Sequence, residues 1–147
     1  MHQLQKNVIV YFFLFLTSFL AATILPLSSE LTLISLLKSG SYSSFLLIST
    51  SSLGNILGSV FNWFLGFYLS EYIHKKWFPF KQNQINVASK RFSKFGIWSL
   101  LFSWLPVVGD PLTLIAGILR INFLLFLILV SVGKISRYLF IFYLSSN

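Results

Sequence analysis

Four long apolar blocks occupy most of this chain, at roughly 8–37, 43–70, 95–119 and 121–143. A helix needs about 20 apolar residues to cross a hydrocarbon core of about 30 Å, so each block is long enough to enter a membrane. A soluble domain carries charge on about a quarter of its residues, whereas only 10% of this chain is charged. We therefore predict an all-α integral membrane protein with one membrane domain over residues 1–147.

Two of the four blocks are interrupted near their middle. In the first block, the interruption runs from Pro26 to Glu30. In the third block, Pro106 and Pro111 flank Gly109. Proline removes a backbone donor and clashes with the preceding helical turn. Each broken block is predicted to fold as a re-entrant helical hairpin. One long kinked helix is the alternative, and it competes more closely in the first block.

Both breaks are followed by residues that favour a helix start. Asp110 precedes Pro111, as an N-cap residue precedes a proline in the first helical position. Ser28 can cap the fragment after the first break, with the Glu30 carboxylate in its first turn, where it suits the helix dipole. Both fragments are therefore predicted to be short helices.

A broken block followed by an uninterrupted block occurs twice along the chain. Repeat one covers about 8–70, a polar connection covers 71–94, and repeat two covers about 95–143. Because one span separates the two hairpins, they would enter from opposite faces, as in the inverted repeats of many transporters. The halves share no obvious residue identity, so this prediction rests on the pattern alone.

The connection 71–94 is strongly basic, with Glu71 as its one acid. Such a composition is typical of a cytoplasmic loop beside anionic headgroups. We predict a multi-pass protein of a bacterial-type inner membrane with this loop in the cytoplasm, and the side of the termini stays open. Nucleic-acid binding is not expected, because the bases do not form a face of a soluble fold. They are Lys75, Lys76, Lys81, Lys90, Arg91 and Lys94.

Four charged residues fall inside the apolar blocks, and charge within a bilayer is costly enough to mark functional candidates. We expect the acids and bases to meet, either as substrate- and proton-binding groups or as structural ion pairs. Half-helices that begin inside a membrane present free N–H groups and positive dipole ends, which bind phosphate. These four residues are Glu30, Asp110, Lys134 and Arg137.

Small and amide residues recur along the second block. Gly54, Gly58 and Gly66 allow close approach of helices in lipid, and Asn55 and Asn62 lie seven residues apart on one side. We predict packing within the monomer, with a homodimer face as the alternative. The two amides are expected to brace a hairpin or to line the site.

Other classes of site lack support in the sequence. The chain has no cysteine, and His2 and His74 have no partners for a metal site. No catalytic triad, P-loop or dinucleotide motif is present. We predict no enzyme activity, no metal and no cofactor.

Four stretches, in order along nearly the whole chain, resemble the DedA superfamily, also called the SNARE-associated or VTT-domain family. The likeness is greatest to its short YqaA-type branch, and it is most specific at the second break. There the run is Ser103-Trp104-Leu105-Pro106-Val107-Val108-Gly109-Asp110-Pro111-Leu112, followed by Ala116-Gly117. The other matching residues are Leu25-Pro26 with Ser28-Ser29-Glu30, Gly54-Asn55 with Gly58, Asn62-Trp63 and Gly66, and Gly133-Lys134 with Arg137-Tyr138.

This resemblance implies two hairpin-plus-helix repeats and proton-dependent transport or scrambling of a polyprenyl phosphate or a phospholipid. Larger members carry arginines around the second break, roughly where this chain has Ser103 and Gly109, while the first-break carboxylate is retained as Glu30. We hypothesise that Lys134 and Arg137 supply the missing charge from the last helix.

The leading prediction is a DedA-like transporter or flippase, proton-coupled, whose partners are membrane lipids such as an anionic phospholipid or a polyprenyl phosphate. One alternative is a non-transporting membrane factor that supports envelope integrity or the assembly of other complexes. Another is an exporter of small cationic drugs that uses Glu30 as its exchanging acid. The broken segments and the basic last span argue against the exporter.

Overall fold

The computed structural model describes residues 2–23, 29–72, 81–105 and 108–146, and helices dominate these ranges. The predicted all-α class is confirmed. In chain order the elements are α1 (His2–Thr23), α2 (Ser29–Lys38), α3 (Ser44–Leu69), a 3₁₀ turn (Ser70–Tyr72), α4 (Gln82–Phe95), a 3₁₀ helix (Gly96–Trp104), α5 (Gly109–Ile118) and α6 (Phe123–Ser146).

Among the described residues, three helices are long and apolar enough to cross a membrane. Their candidate spans are Gln5–Thr23 in α1, Ser44–Tyr68 in α3 and Phe123–Ser145 in α6. The last two coincide with the uninterrupted blocks predicted from the sequence. Large apolar side chains on all three helices are exposed, and in a membrane protein such side chains face lipid.

The two broken blocks differ in their helix lengths. In the first block α1 has 22 residues and α2 has ten, so α1 alone is about 33 Å long at about 1.5 Å per residue. In the third block a nine-residue 3₁₀ helix precedes the break and the ten-residue α5 follows it. Both fragments after the breaks are short helices, as expected. Pro26 and Pro106 lie outside the described residues.

The basic connection contains a helix that its charge pattern does not predict. α4 begins after Lys81, whose N–H donates to the Gln84 side chain at 3.0 Å. It ends at Phe95, and the C-cap residue Gly96 has a φ of 59°. Its buried residues Ile85, Ala88 and Phe92 follow a helical spacing. The net charge of the segment does not reveal this narrow apolar stripe, because these three apolar residues are spread among many polar ones.

The first compact unit comprises Met1–Gly58 and Ile135–Asn147. In it α2 packs against α1, and Gly54 and Gly58 bring α3 against α1. A Cβ at Gly54 would lie 2.5 Å from the Phe15 carbonyl oxygen, so no larger residue fits without a shift. The buried core of this unit is Leu14, Leu33, Leu47 and Tyr138.

The second compact unit comprises Ser59–Lys134. Here α4, the 3₁₀ helix and α5 pack against one another, and α5 also approaches α3. A Cβ at Gly66 would overlap the Leu114 carbonyl oxygen, and a Cβ at Gly117 would overlap that of Trp63. The buried core is Trp63, Ile85, Ala88, Phe92, Leu100, Leu112, Leu114, Ile115, Ala116, Phe126, Leu129 and Val130.

Candidate functional site

The second unit holds an ion pair at the start of α5. Lys134 of α6 donates from Nζ to Asp110 Oδ1 at 2.9 Å. The Lys134 side chain is 1% exposed and that of Asp110 is 26% exposed. A lysine buried to this degree requires a counter-charge, and Asp110 provides it.

Asp110 is not the N-cap residue that the sequence analysis predicts. Val108 occupies the N-cap position, and Asp110 lies in the first turn with Pro111 after it. Gly109 makes the earlier start possible, because a Cβ there would overlap the Ser103 carbonyl oxygen. The Asp110 carboxylate does not cap α5 and accepts a hydrogen bond from Lys134 instead.

The first unit holds a second ion pair at the start of α2. Arg137 of α6 donates from Nε to Glu30 Oε1 at 2.6 Å and also pairs with this oxygen through Nη2. The side chains are 19% and 36% exposed, respectively. This pair is therefore better solvated than the pair of Lys134 and Asp110, and loss of one partner alone should cost less.

Asn62 of α3 links to the start of α5. Its Nδ2 donates to Thr113 Oγ1 at 3.2 Å, and Thr113 Oγ1 donates to the Asp110 carbonyl oxygen at 2.6 Å. Asn62 and Thr113 are fully buried. The amide therefore holds the first turn of α5, where Asp110 lies.

Asn55 of α3 has a comparable place in the first unit. Its Nδ2 donates to the Ser18 carbonyl oxygen at 3.3 Å and to Tyr138 Oη at 3.1 Å. Tyr138 Oη also lies 3.4 Å from Ser29 Oγ, in the residue before Glu30. A buried polar chain thus runs from α3 through α6 to the start of α2.

The two short helices carry the same set of groups. α2 and α5 are both ten residues long, and the second residue of each is an acid, Glu30 or Asp110. Each acid pairs with a base of α6 within its own unit, Arg137 or Lys134. This likeness is a match of residue types and places along the helices.

The spans that follow the short helices also correspond. Gly54-Asn55 in α3 and Gly133-Lys134 in α6 both begin ten residues after the first residue of their helix. Each glycine brings its helix against the segment that precedes the break. A Cβ would lie 2.5 Å from an α1 carbonyl oxygen at Gly54 and 2.8 Å from a carbonyl oxygen of the 3₁₀ helix at Gly133.

The hydrogen bonds of several polar residues in this region could not be predicted from the sequence. The resemblance includes Ser29 and Tyr138 without a role and does not include Thr113, yet all three are buried in the hydrogen bonds above. Ser103 Oγ is buried without a hydrogen-bond partner in the described structure. The polar stripe of α3 was the available signal, because Ser51, Asn55 and Asn62 recur at helical spacing.

No metal site is found in the part of the chain that the structure describes, where no three His, Asp or Glu residues form a group. His74 lies outside that part.

Comparison with protein families gives a match over residues 7–147 to the VTT domain, the family also known as DedA or SNARE-associated. The chain belongs to the DedA family. DedA-family proteins are membrane proteins that are not known as enzymes. The membership agrees with the resemblance seen at the second break.

Two relatives are similar along most of their length. The inner membrane protein YqaA of Escherichia coli (strain K12) is 37% identical over 129 residues, which cover 86% of this chain and 84% of YqaA. An uncharacterized protein of Haemophilus influenzae is 34% identical over 141 residues, which cover 91% and 86%. No solved structure matches the chain. With three described helices long and apolar enough to span a membrane, this DedA protein is an inner membrane protein.

Proposed function

We propose that this protein is a proton-coupled transporter or flippase for a phosphate-bearing lipid. The observation that carries the proposal is the ion pair of Lys134 and Asp110 at the first turn of α5. A buried ammonium beside the N-terminus of a helix is an anion site whose present occupant is a carboxylate. Exchange of that carboxylate for a lipid phosphate would load the site.

A proton makes this exchange possible. While Asp110 is ionised, its charge repels a phosphate and holds Lys134. Once Asp110 takes up a proton, Lys134 Nζ can bind the phosphate beside the positive end of the α5 dipole. Return of the proton to water would restore the ion pair and expel the headgroup, so that lipid and proton movements are linked.

Glu30 and Arg137 provide a second, more exposed exchange point in the first unit. The arginine guanidinium is a bidentate donor suited to phosphate. We assign both pairs the same role because each joins the acid of a short helix to a base of α6. Phospholipid and polyprenyl phosphate headgroups share the phosphate that both points recognise.

The proposed architecture is two inverted repeats, each a re-entrant hairpin followed by a span. The equivalent places of Glu30 and Asp110, and of Gly54 and Gly133, support it. α4, which belongs to the basic connection, packs along the last turns of α5. The end of α5 is therefore on the same face of the membrane as the basic connection, as a re-entrant second hairpin requires. Positive-inside counting assigns that side to the cytoplasm.

The test is lipid flipping by the full chain in phosphatidylcholine vesicles that contain a trace of labelled phosphatidylglycerol. A membrane-impermeant quencher added outside reaches about half of the label without flipping and nearly all of it with flipping. With the wild-type protein we expect the quencher to reach nearly all of the label. It should do so more slowly when labelled phosphatidylcholine replaces the anionic lipid. A labelled polyprenyl phosphate forms a second arm that separates the two substrate classes.

The decisive variant is Asp110→Asn/Lys134→Gln, which removes both charges and leaves neither unpaired. It should fold and show no flipping above protein-free vesicles, while the matched control Lys38→Gln, at an exposed base of α2, should flip normally. Wild-type flipping in the double variant would overturn the proposed role of the pair. No flipping by wild type of either anionic lipid would overturn the proposed function.

A non-transporting membrane factor is the second candidate. Both ion pairs are joined by direct side-chain hydrogen bonds. A pair with a purely structural role requires the same contacts, and this favours the second candidate. Genetic complementation separates the two functions. Full complementation by the variant Glu30→Gln/Asp110→Asn, in which both acids are amides, would favour the structural factor.

A further inference from the structure

A groove between α4 and α5 belongs to neither ion pair. It encloses about 280 Å³ and is predominantly apolar. Its floor includes the buried Phe92 and Ile115, and its rim is exposed at Ser89 and Leu119. The lining residues are Ser89, Phe92, Ser93, Ile115, Ile118 and Leu119.

Basic residues directly follow three residues of the groove lining. Ser89, Ser93 and Leu119 precede Lys90, Lys94 and Arg120, respectively, and all three bases are exposed. Within the described part of the chain, none of them takes part in a salt bridge. The groove is therefore an apolar slot on two segments that also carry an excess of exposed positive charge.

The backbone at Arg120 adds to this picture. Arg120 has a φ of 52° directly after the C-cap of α5, in the left-handed position that glycine usually fills. An arginine in this conformation is strained, because its Cβ lies close to the following carbonyl oxygen. Its guanidinium carbon lies 5.1 Å from the centroid of the Phe67 ring, which keeps the charge at the end of α5.

Two exposed aromatic residues indicate the depth of the groove in the membrane. Phe95 and Trp98 follow the basic face of α4 and are 48% and 65% exposed. Exposed aromatic rings beside lysines are typical of the membrane–water interface. An amphipathic molecule at this level would meet the apolar slot and the basic residues together.

We propose that the α4–α5 groove binds an anionic phospholipid, with part of an acyl chain in the apolar slot and the headgroup phosphate against Lys90, Lys94 and Arg120. The charge complementarity selects an anionic headgroup, and the apolar lining selects a lipid over a free anion. This site is distinct from the exchange points at Asp110 and Glu30, and it stands whether or not the protein transports lipid.

The test is thermal unfolding of the full chain in a mild non-ionic detergent with added lipid. A ligand that binds only the folded state raises Tm. We expect phosphatidylglycerol to raise Tm well above the effect of phosphatidylcholine with the same acyl chains. The variant Lys90→Gln/Lys94→Gln should weaken the apparent affinity for phosphatidylglycerol by roughly 10- to 30-fold, as expected for loss of two bases at a lipid surface.

Three controls make the test specific. The variant Lys6→Gln/Lys38→Gln removes the same charge at exposed positions of the first unit and should keep the full effect. The variant Ser93→Phe fills the groove without changing charge and should reduce the effect. Glycerol phosphate, which has the headgroup without chains, should give no rise.

The proposal fails if the two lipids raise Tm equally, or if both double variants lose the effect to the same degree. A rise of the same size with glycerol phosphate would make the site a simple anion site and overturn the lipid assignment. A rise that follows protein concentration and not lipid content would assign the groove to a second copy of the chain.

Discussion

Lys134 Nζ lies 2.9 Å from Asp110 Oδ1, and the lysine side chain is almost fully buried while the aspartate side chain is partly exposed. The pair is asymmetric, because the buried member depends on the accessible one for its counter-charge. Loss of the aspartate alone and loss of both charges should therefore have different consequences for folding.

Asp110→Asn should lower the free energy of unfolding by about 3 kcal/mol, since it leaves a buried ammonium without its carboxylate. The double variant Asp110→Asn/Lys134→Met should recover most of this loss, because no charge remains. Unfolding by denaturant in mixed micelles measures both. A double variant that is as unstable as Asp110→Asn would show that the pair is not the source of the cost.

The pair of Glu30 and Arg137 can be tested by exchanging its charges. Glu30→Arg and Arg137→Glu should each cost about 1 to 2 kcal/mol, because each places like charges together at a partly solvated site. The combined exchange should restore at least half of the loss. Thermal stability of the purified variants is the measurement, and additive losses in the combined variant would contradict the pairing.

Close approach of α3 and α5 predicts a severe effect at Gly66. Gly66→Ala should destabilise by about 2 kcal/mol, because the new Cβ would overlap a backbone oxygen that cannot rotate away. Leu57→Ala on the same helix removes an exposed side chain and should change stability far less. Equal losses in the two variants, measured by denaturant unfolding, would argue against tight packing at this position.

The hydroxyl of Tyr138 should contribute about 1 kcal/mol through its hydrogen bond with Asn55. Tyr138→Phe removes this acceptor and keeps the ring. The matched change Tyr68→Phe removes a hydroxyl from a side chain that is 69% exposed and should be neutral. A shift in Tm for the first variant alone is the expected result.

Topology can be read from single cysteines, because the natural chain has none. With two re-entrant hairpins, cysteines at His2 and Ser41 should react with an impermeant reagent in intact cells, and a cysteine at Asn83 should not. If only the cysteine at Ser41 reacts, the first block crosses the membrane once, as a single span, and the hairpin architecture is wrong.

The uninterrupted spans could be predicted closely from the sequence. α3 and α6 follow apolar runs with few charges, and in a membrane such runs leave no other structure with satisfied backbone groups. The short helices α2 and α5 could be placed for a similar reason, since proline and glycine mark the breaks before them.

The partners within the candidate site could not be predicted. The sequence supplies two acids and two bases, but any pairing among Glu30, Asp110, Lys134 and Arg137 satisfies the balance of charge. Which carboxylate meets which base depends on the direction in which each short helix leaves its break. The role of Tyr138 is hidden likewise, because its neighbours lie on α2 and α3, far away in sequence.

The mutual fit of Gly66 and Gly117 restricts how the second unit can move. Each glycine packs closely against a carbonyl oxygen of the other helix, so sliding α5 along α3 by even one residue would drive side chains into backbone. These two segments must therefore travel together as one rigid block. Any gating step at the second break then requires displacement of the 3₁₀ helix or of α6, and spectroscopic distance labels belong on those elements.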